Sequence, residues 1–140
     1  MAAEYNISHD KGTSFKFYAL YKDSEGTAVN LASYSARMQI RRSPDDPKMA
    51  LFVTGSGVTN GGTTGEFSGT GGVSGTGGIT LNASSGGAAG ITGGVYVEFN
   101  AVSSANLPTG RMFYDLELVN GEDVTRLVEG RFEARANITR

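Results

Sequence analysis

The 140-residue chain has no cysteine, which excludes disulfides, thiolate metal sites and a cysteine nucleophile together. Assembly in a cytosol is therefore the expectation. Tryptophan is also missing, and with it the usual stacking platform of a sugar-binding surface. One histidine, His9, is the whole supply of imidazole. Twelve Lys and Arg stand against 14 Asp and Glu, a net charge of −2, so no cationic excess is available to neutralise phosphates or an anionic membrane. Met1–Tyr5 carries no basic region followed by an apolar run, and no stretch of 18 apolar residues occurs, so neither a signal peptide nor a membrane-spanning helix is expected. Without a secretory signal, the N-x-[ST] triplets at Asn6, Asn82 and Asn137 carry no weight.

Glycine is abundant but uneven. Sixteen of the 21 glycines lie between Gly55 and Gly94, and Glu66 is the single charge in that stretch. Within it, Phe67-Ser68-Gly69-Thr70-Gly71-Gly72 is followed at once by Val73-Ser74-Gly75-Thr76-Gly77-Gly78, a six-residue repeat led by an apolar residue.

The flanks alternate apolar and polar residues at period two, the mark of half-buried strands. Phe15, Phe17, Ala19 and Tyr21 share one face of a strand from Ser14 to Lys22. Asp23-Ser24-Glu25-Gly26 then reads as a type I turn with glycine last. In Ser35–Arg42, Ala36, Met38 and Ile40 point inward and Arg37, Gln39 and Arg41 outward. Pro44 and Pro47 stop that strand, and a short one from Met49 to Val53 follows. Val95, Val97 and Phe99 alternate again, Ser103–Pro108 reads as one helical turn, and Arg111–Val119 and Val124–Ala136 form a hairpin at Asn120-Gly121, with Gly130 as a candidate bulge. Seven or eight short strands without a crossover helix predict one domain, residues 1–140: an all-β, immunoglobulin-like antiparallel β-sandwich with a Gly-rich insertion at 55–94.

Two blocks carry a family resemblance. The first runs through Gly12-Thr13-Ser14-Phe15-Lys16-Phe17, Asp23-Ser24-Glu25-Gly26 and Val29–Arg41 with its Leu31-x-x-Tyr34 step. The second runs through Leu107-Pro108-Thr109-Gly110, Tyr114-Asp115-Leu116-Glu117-Leu118 and Val124–Gly130. In this order they resemble the immunoglobulin-like N-terminal domain of siphophage upper baseplate proteins and related small tail-associated proteins of tailed phages. The resemblance covers most of residues 5–53 and 95–140 and leaves 55–94 unexplained. It implies a virion structural protein, assembled in the host cytoplasm, that joins tail or baseplate parts through contacts with other virion proteins and copies of itself. Leu31 and Tyr34 would plug one end of the sandwich.

No residue set announces catalysis. Adjacent strand residues point to opposite faces, so His9 and Asp10 cannot form a relay, and His9 is expected to be exposed. Asp115 and Glu117 share a face about 7 Å apart by strand rise, a spacing that overlaps glycosidase carboxylates; ordinary pairing with Arg126 or Arg131 across the hairpin explains the same spacing and is the expectation. Asp45 and Asp46 read as turn residues rather than calcium ligands. The glycines lack phosphate-loop context. The expectation is a non-enzyme without cofactor, metal, nucleic-acid, membrane or small-molecule partner. Its interface would draw on Arg37, Arg41, Phe67, Val73, Ile79, Leu81 and Ile91, with residues 55–94 mobile alone and ordered against a neighbour. A capsid cement protein, or a carbohydrate- or receptor-binding module using surface Tyr18 and Tyr96, are the alternatives.

Overall fold

The structure is a computed structural model that describes residues 3–45, 51–56, 59–64, 77–88, 90–101, 104, 107 and 109–136. Among the described residues ten strands form: β1 (Ala3–Glu4), β2 (Ile7–Asp10), β3 (Phe15–Leu20), β4 (Ser35–Arg41), β5 (Leu51–Ser56), β6 (Thr59–Thr64), β7 (Gly77–Leu81), β8 (Gly94–Phe99), β9 (Gly110–Asn120) and β10 (Asp123–Arg135). A seven-stranded sheet runs β1-β10-β9-β4-β5-β6, with β2 also on β10, and a three-stranded sheet runs β3-β8-β7. The second strand of the smaller sheet is the eighth in the chain, and the larger sheet orders its strands 10-9-4-5-6. This is the strand arrangement of a variable-type immunoglobulin sandwich, so the chain is an immunoglobulin-like β-sandwich. Pairing is antiparallel except where β1 and β2 run parallel to β10.

β4 shows why the alternating sequence folds this way. Its inward residues Ala36, Met38 and Ile40 are buried while Arg37, Gln39 and Arg41 stay partly exposed. A shift of one residue would invert every one of them. From β9, Met112, Leu116 and Leu118 join them, and the smaller sheet contributes Phe15, Val95, Val97 and Phe99. Phe15 and Phe99 stack at 4.7 Å, with Phe132 tilted against Phe15 at 5.7 Å, so aromatic packing fills the space between sheets that no disulfide spans. Leu31 is fully buried with Tyr34 packed beside it, and the Tyr34 amide donates to the Leu31 carbonyl at 3.0 Å. The Leu31-x-x-Tyr34 step thus packs into the core. The turn at Asp23 also forms: Gly26 (φ 83°) donates to the Asp23 carbonyl, and Asp23 Oδ1 accepts from Glu25 and Thr27.

The glycine-rich stretch supplies strands to both sheets. β5 runs on through Gly55 and Ser56, and β6, β7 and the first residue of β8 also come from residues 55–94. Ile79, Leu81 and Ala83 are completely buried. Two glycines show why a side chain is excluded here. A Cβ on Gly55 would collide with the Ile79 carbonyl, and one on Gly94 with the Ala83 carbonyl and the Tyr18 hydroxyl. Glycine serves in these places as a close-approach residue between backbones, not as linker. Phe67 and Val73 lie outside the described residues, as do Met49 and Asp46.

The closing hairpin differs from its reading by small shifts. Asn120 faces Asp123, so Gly121 and Glu122 form the two-residue loop, and Gly121 (φ 62°) supplies the positive φ that a type II′ turn needs first. The bulge falls between Arg126 and Val128 rather than at Gly130. Gly130 has another duty: a Cβ there would strike the Tyr5 carbonyl, so its bareness admits the first strands alongside β10.

Candidate protein-binding face

Alternation on β4, β9 and β10 sets one row of side chains on the outer face of the larger sheet. Arg37 pairs across the ladder with Glu117, which pairs on its other side with Arg126. The side chains follow the register. Arg37 Nε donates to Glu117 Oε1 at 2.8 Å, and Arg126 lies 3.4 Å from Asp115 Oδ2, 3.5 Å from Glu117 Oε2 and 3.7 Å from Glu129 Oε1. Arg126, not Arg131, is thus the cross-hairpin partner; Arg131 sits opposite Phe113. These carboxylates are also less solvated than expected. Glu117 keeps 16% of its side-chain exposure. Burial, then the neighbouring Glu117 charge, raises the Asp115 carboxyl above its ordinary pKa, with Arg126 opposing.

Beside this network lies a cleft of about 910 Å³ whose lining includes Gln39, Arg41, Phe113, Asp115, Arg126 and Arg131. Phe113 is a large apolar side chain left 39% exposed among charges. Arg41 donates through Nε and an NH2 group to Gln39 Oε1 at 3.3 and 2.9 Å, which holds its guanidinium along the strand. An aromatic ring and arginines around a concavity are the residue types that concentrate binding energy in protein interfaces. Both carboxylate oxygens of Glu117 are engaged by guanidinium groups, and the network ties three strands in register.

The interface residues expected from sequence divide. Arg37 and Arg41 come together on this face, and Ile91 is 46% exposed in the connection between β7 and β8. Ile79 and Leu81 cannot meet a neighbour, because the chain's own core covers them. Phe113, Arg126 and Arg131 were missed as a set; the available signal was a lone aromatic on the same strand face as Asp115 and Glu117.

His9 also departs from expectation. It is partly buried, with Nε2 3.1 Å from the Thr13 carbonyl and 3.1 Å from Ser104 Oγ. Its ring meets Phe15 edge-on at 5.2 Å and lies 6.1 and 6.2 Å from Phe99 and Phe132. Ser104 is fully buried, and its Oγ already accepts from the Gly12 amide. Asp10 points away to Arg135 at 2.9 Å. The histidine–serine contact is a buckle between β2 and the β8–β9 connection. Tyr18 and Tyr96 do not form an open platform. Tyr96 is 4% exposed with Gly87 against its ring, and Tyr18 donates to the Ala83 carbonyl at 2.8 Å. Burial, then the bond to Glu98, raises the Tyr96 phenol pKa. Among the described residues no group of three or more His, Asp and Glu converges to hold a metal, and no helix is long and apolar enough to cross a membrane.

No family model and no curated protein matches the chain. Among solved structures it is similar to a chain described under "multimeric cell-adhesive interactions of VGSC beta subunits", at 12% identity, covering 97% of this chain and 93% of that one with a TM-score of 0.44. The fold assignment rests on the strand order itself.

Proposed function

We propose that the chain is a structural, non-catalytic domain that works by protein–protein contact, in the setting of a tailed-phage tail or baseplate. The observation that carries the contact reading is the outer face of the larger sheet, where Phe113 stands exposed in a cleft among Arg41, Arg126 and Arg131. The virion setting is supported by the motif order through Leu31, Tyr34 and the closing hairpin. With carboxylates and guanidinium groups interleaved, the face is close to charge-balanced and suits a partner of mixed charge, including a second copy. The buried ring of Tyr96, and a Tyr18 hydroxyl tied to the Ala83 carbonyl, count against a carbohydrate platform.

Phe113→Glu tests this. Sedimentation across a concentration series should show self-association of the native chain and its weakening in the variant, with the melting temperature unchanged because Phe113 is outside the core. Equal association of the two proteins would remove the face from the assembly.

A further inference from the structure

The segment Ala3–Asp10 is held as a peptide in a groove. It lies parallel to β10, with Ala3 opposite Val128, Glu4 opposite Glu129 and Ile7 through Asp10 opposite Phe132 through Arg135. Between the two short strands the Tyr5 amide donates to the Glu129 carbonyl at 2.9 Å, Tyr114 donates its hydroxyl to the Tyr5 carbonyl at 2.5 Å, and Asn6 Oδ1 accepts from the Arg131 amide at 3.0 Å. Alternate side chains anchor the segment: Tyr5 on Phe17 at 5.6 Å, Ile7 against the core, His9 among three phenylalanines. Main-chain pairing with pockets for every second residue is the logic of strand addition.

Almost every one of these contacts is made to the body of the sandwich. The bonds that depend on the segment belonging to the same copy are few: Thr13 to the Asp10 carbonyl through its amide (3.3 Å) and hydroxyl (2.7 Å), and His9 Nε2 to the Thr13 carbonyl (3.1 Å) and hydroxyl (3.4 Å). The hinge that carries them, residues 11–14, is short, and Gly12 has a φ of 82°. A second copy's segment can therefore reproduce the groove contacts in full, and only the hinge distinguishes the two arrangements. Short hinges favour such exchange.

We propose that the groove along β10 exchanges this segment between copies, so that Ala3–Asp10 of one chain completes the larger sheet of another. The proposal deepens the reading of the chain as a self-assembling protein. High local concentration, as in a growing particle, favours the exchanged form.

Ser8 and Glu133 face each other in register, at an inter-strand spacing of about 4.8 Å that lies inside the range a disulfide bridges, and the native chain has no cysteine to compete. Ser8→Cys and isotope-labelled Glu133→Cys chains are unfolded together in urea, refolded and mildly oxidised. Mass spectrometry should find light–heavy dimers joined by a disulfide between the two substituted positions, about tenfold above a control mixture of Glu25→Cys with Glu133→Cys. Cross-linking no higher than that control overturns the proposal. The double variant Ser8→Cys/Glu133→Cys, closed within one chain, should associate more weakly than the native chain and recover on reduction. If the closed form associates undiminished, exchange is wrong while assembly through the Phe113 face stands. If Phe113→Glu leaves association intact and the cross-link persists, the face is wrong and exchange stands.

Discussion

The closing hairpin and the glycine-rich stretch supply strands to the same sandwich by opposite means. In β9 and β10, inward side chains such as Met112, Leu116, Val128 and Phe132 fill the core, so the backbone stands off and the sequence alternates. At β5, β7 and the start of β8 the backbones themselves close in, and Gly55 and Gly94 are required because nothing larger than hydrogen fits. A glycine count alone reports flexibility, since glycine loses the most freedom on folding. Its contacts report the reverse. One stretch of chain holds itself in place by filling space and the other by vacating it.

The sharpest way to break that comparison is to remove the glycine-rich stretch. Replacing residues 56–93 with an Asn-Gly turn deletes β6, β7 and the buried Ile79 and Leu81, and should abolish folding. A cooperative melt by circular dichroism in this variant would mean the hairpin side is self-sufficient. Met38→Asp should match it in effect, because an unpaired carboxylate in the core costs several kcal/mol, on the scale of a domain's whole stability.

Next in size are single glycines. Gly55→Ala and Gly94→Ala should each cost at least about 3 kcal/mol by urea unfolding, since backbone carbonyls cannot swing aside as side-chain ends do. Gly86→Ala belongs to the same stretch but meets nothing closer than Ser84 Oγ at 4.0 Å, and should change stability by no more than about 0.5 kcal/mol. Equal losses at Gly86 and Gly94 would return the stretch to a general intolerance of side chains.

How much was legible follows from the same physics. β4 could be read residue by residue because one face is buried and the other wet, and a carboxylate–arginine pairing across the β9–β10 hairpin, though not the choice of Arg126 over Arg131, because the two strands are joined by a tight turn. Arg37 and Glu117 are 80 positions apart, and their contact depends on β4 lying beside β9, which local pattern does not encode. β7 was hidden at the end of a glycine repeat, where Ile79 and Leu81 alternate for too few residues to outweigh their neighbours. His9 is the same problem in miniature, since its partner Ser104 lies 95 positions away. His9→Ala should therefore cost about 1–3 kcal/mol, and His9→Phe should recover the ring packing but not the bonds to Thr13 and Ser104. A melting temperature unchanged by His9→Ala would show that the buckle is idle.

The smallest effect is expected on the outer face, and it turns on pH. Burial and the Glu117 charge raise the folded-state pKa of Asp115, so the fold prefers this carboxyl protonated. A carboxylate whose pKa is raised on folding opposes stability while ionised, and that opposition fades as pH falls through the folded pKa toward the unfolded value. Asp115→Asn removes the charge and can still accept a bond from Arg126. At neutral pH the variant should thus be as stable as the native chain or better, by no more than about 0.5 kcal/mol given partial exposure and screening. As the solution is acidified, its advantage should shrink because the native Asp115 becomes neutral too. If Asp115→Asn is instead clearly less stable at neutral pH and the gap closes in acid, attraction to Arg126 outweighs burial, and the outer face is held together by its charges rather than tolerating them.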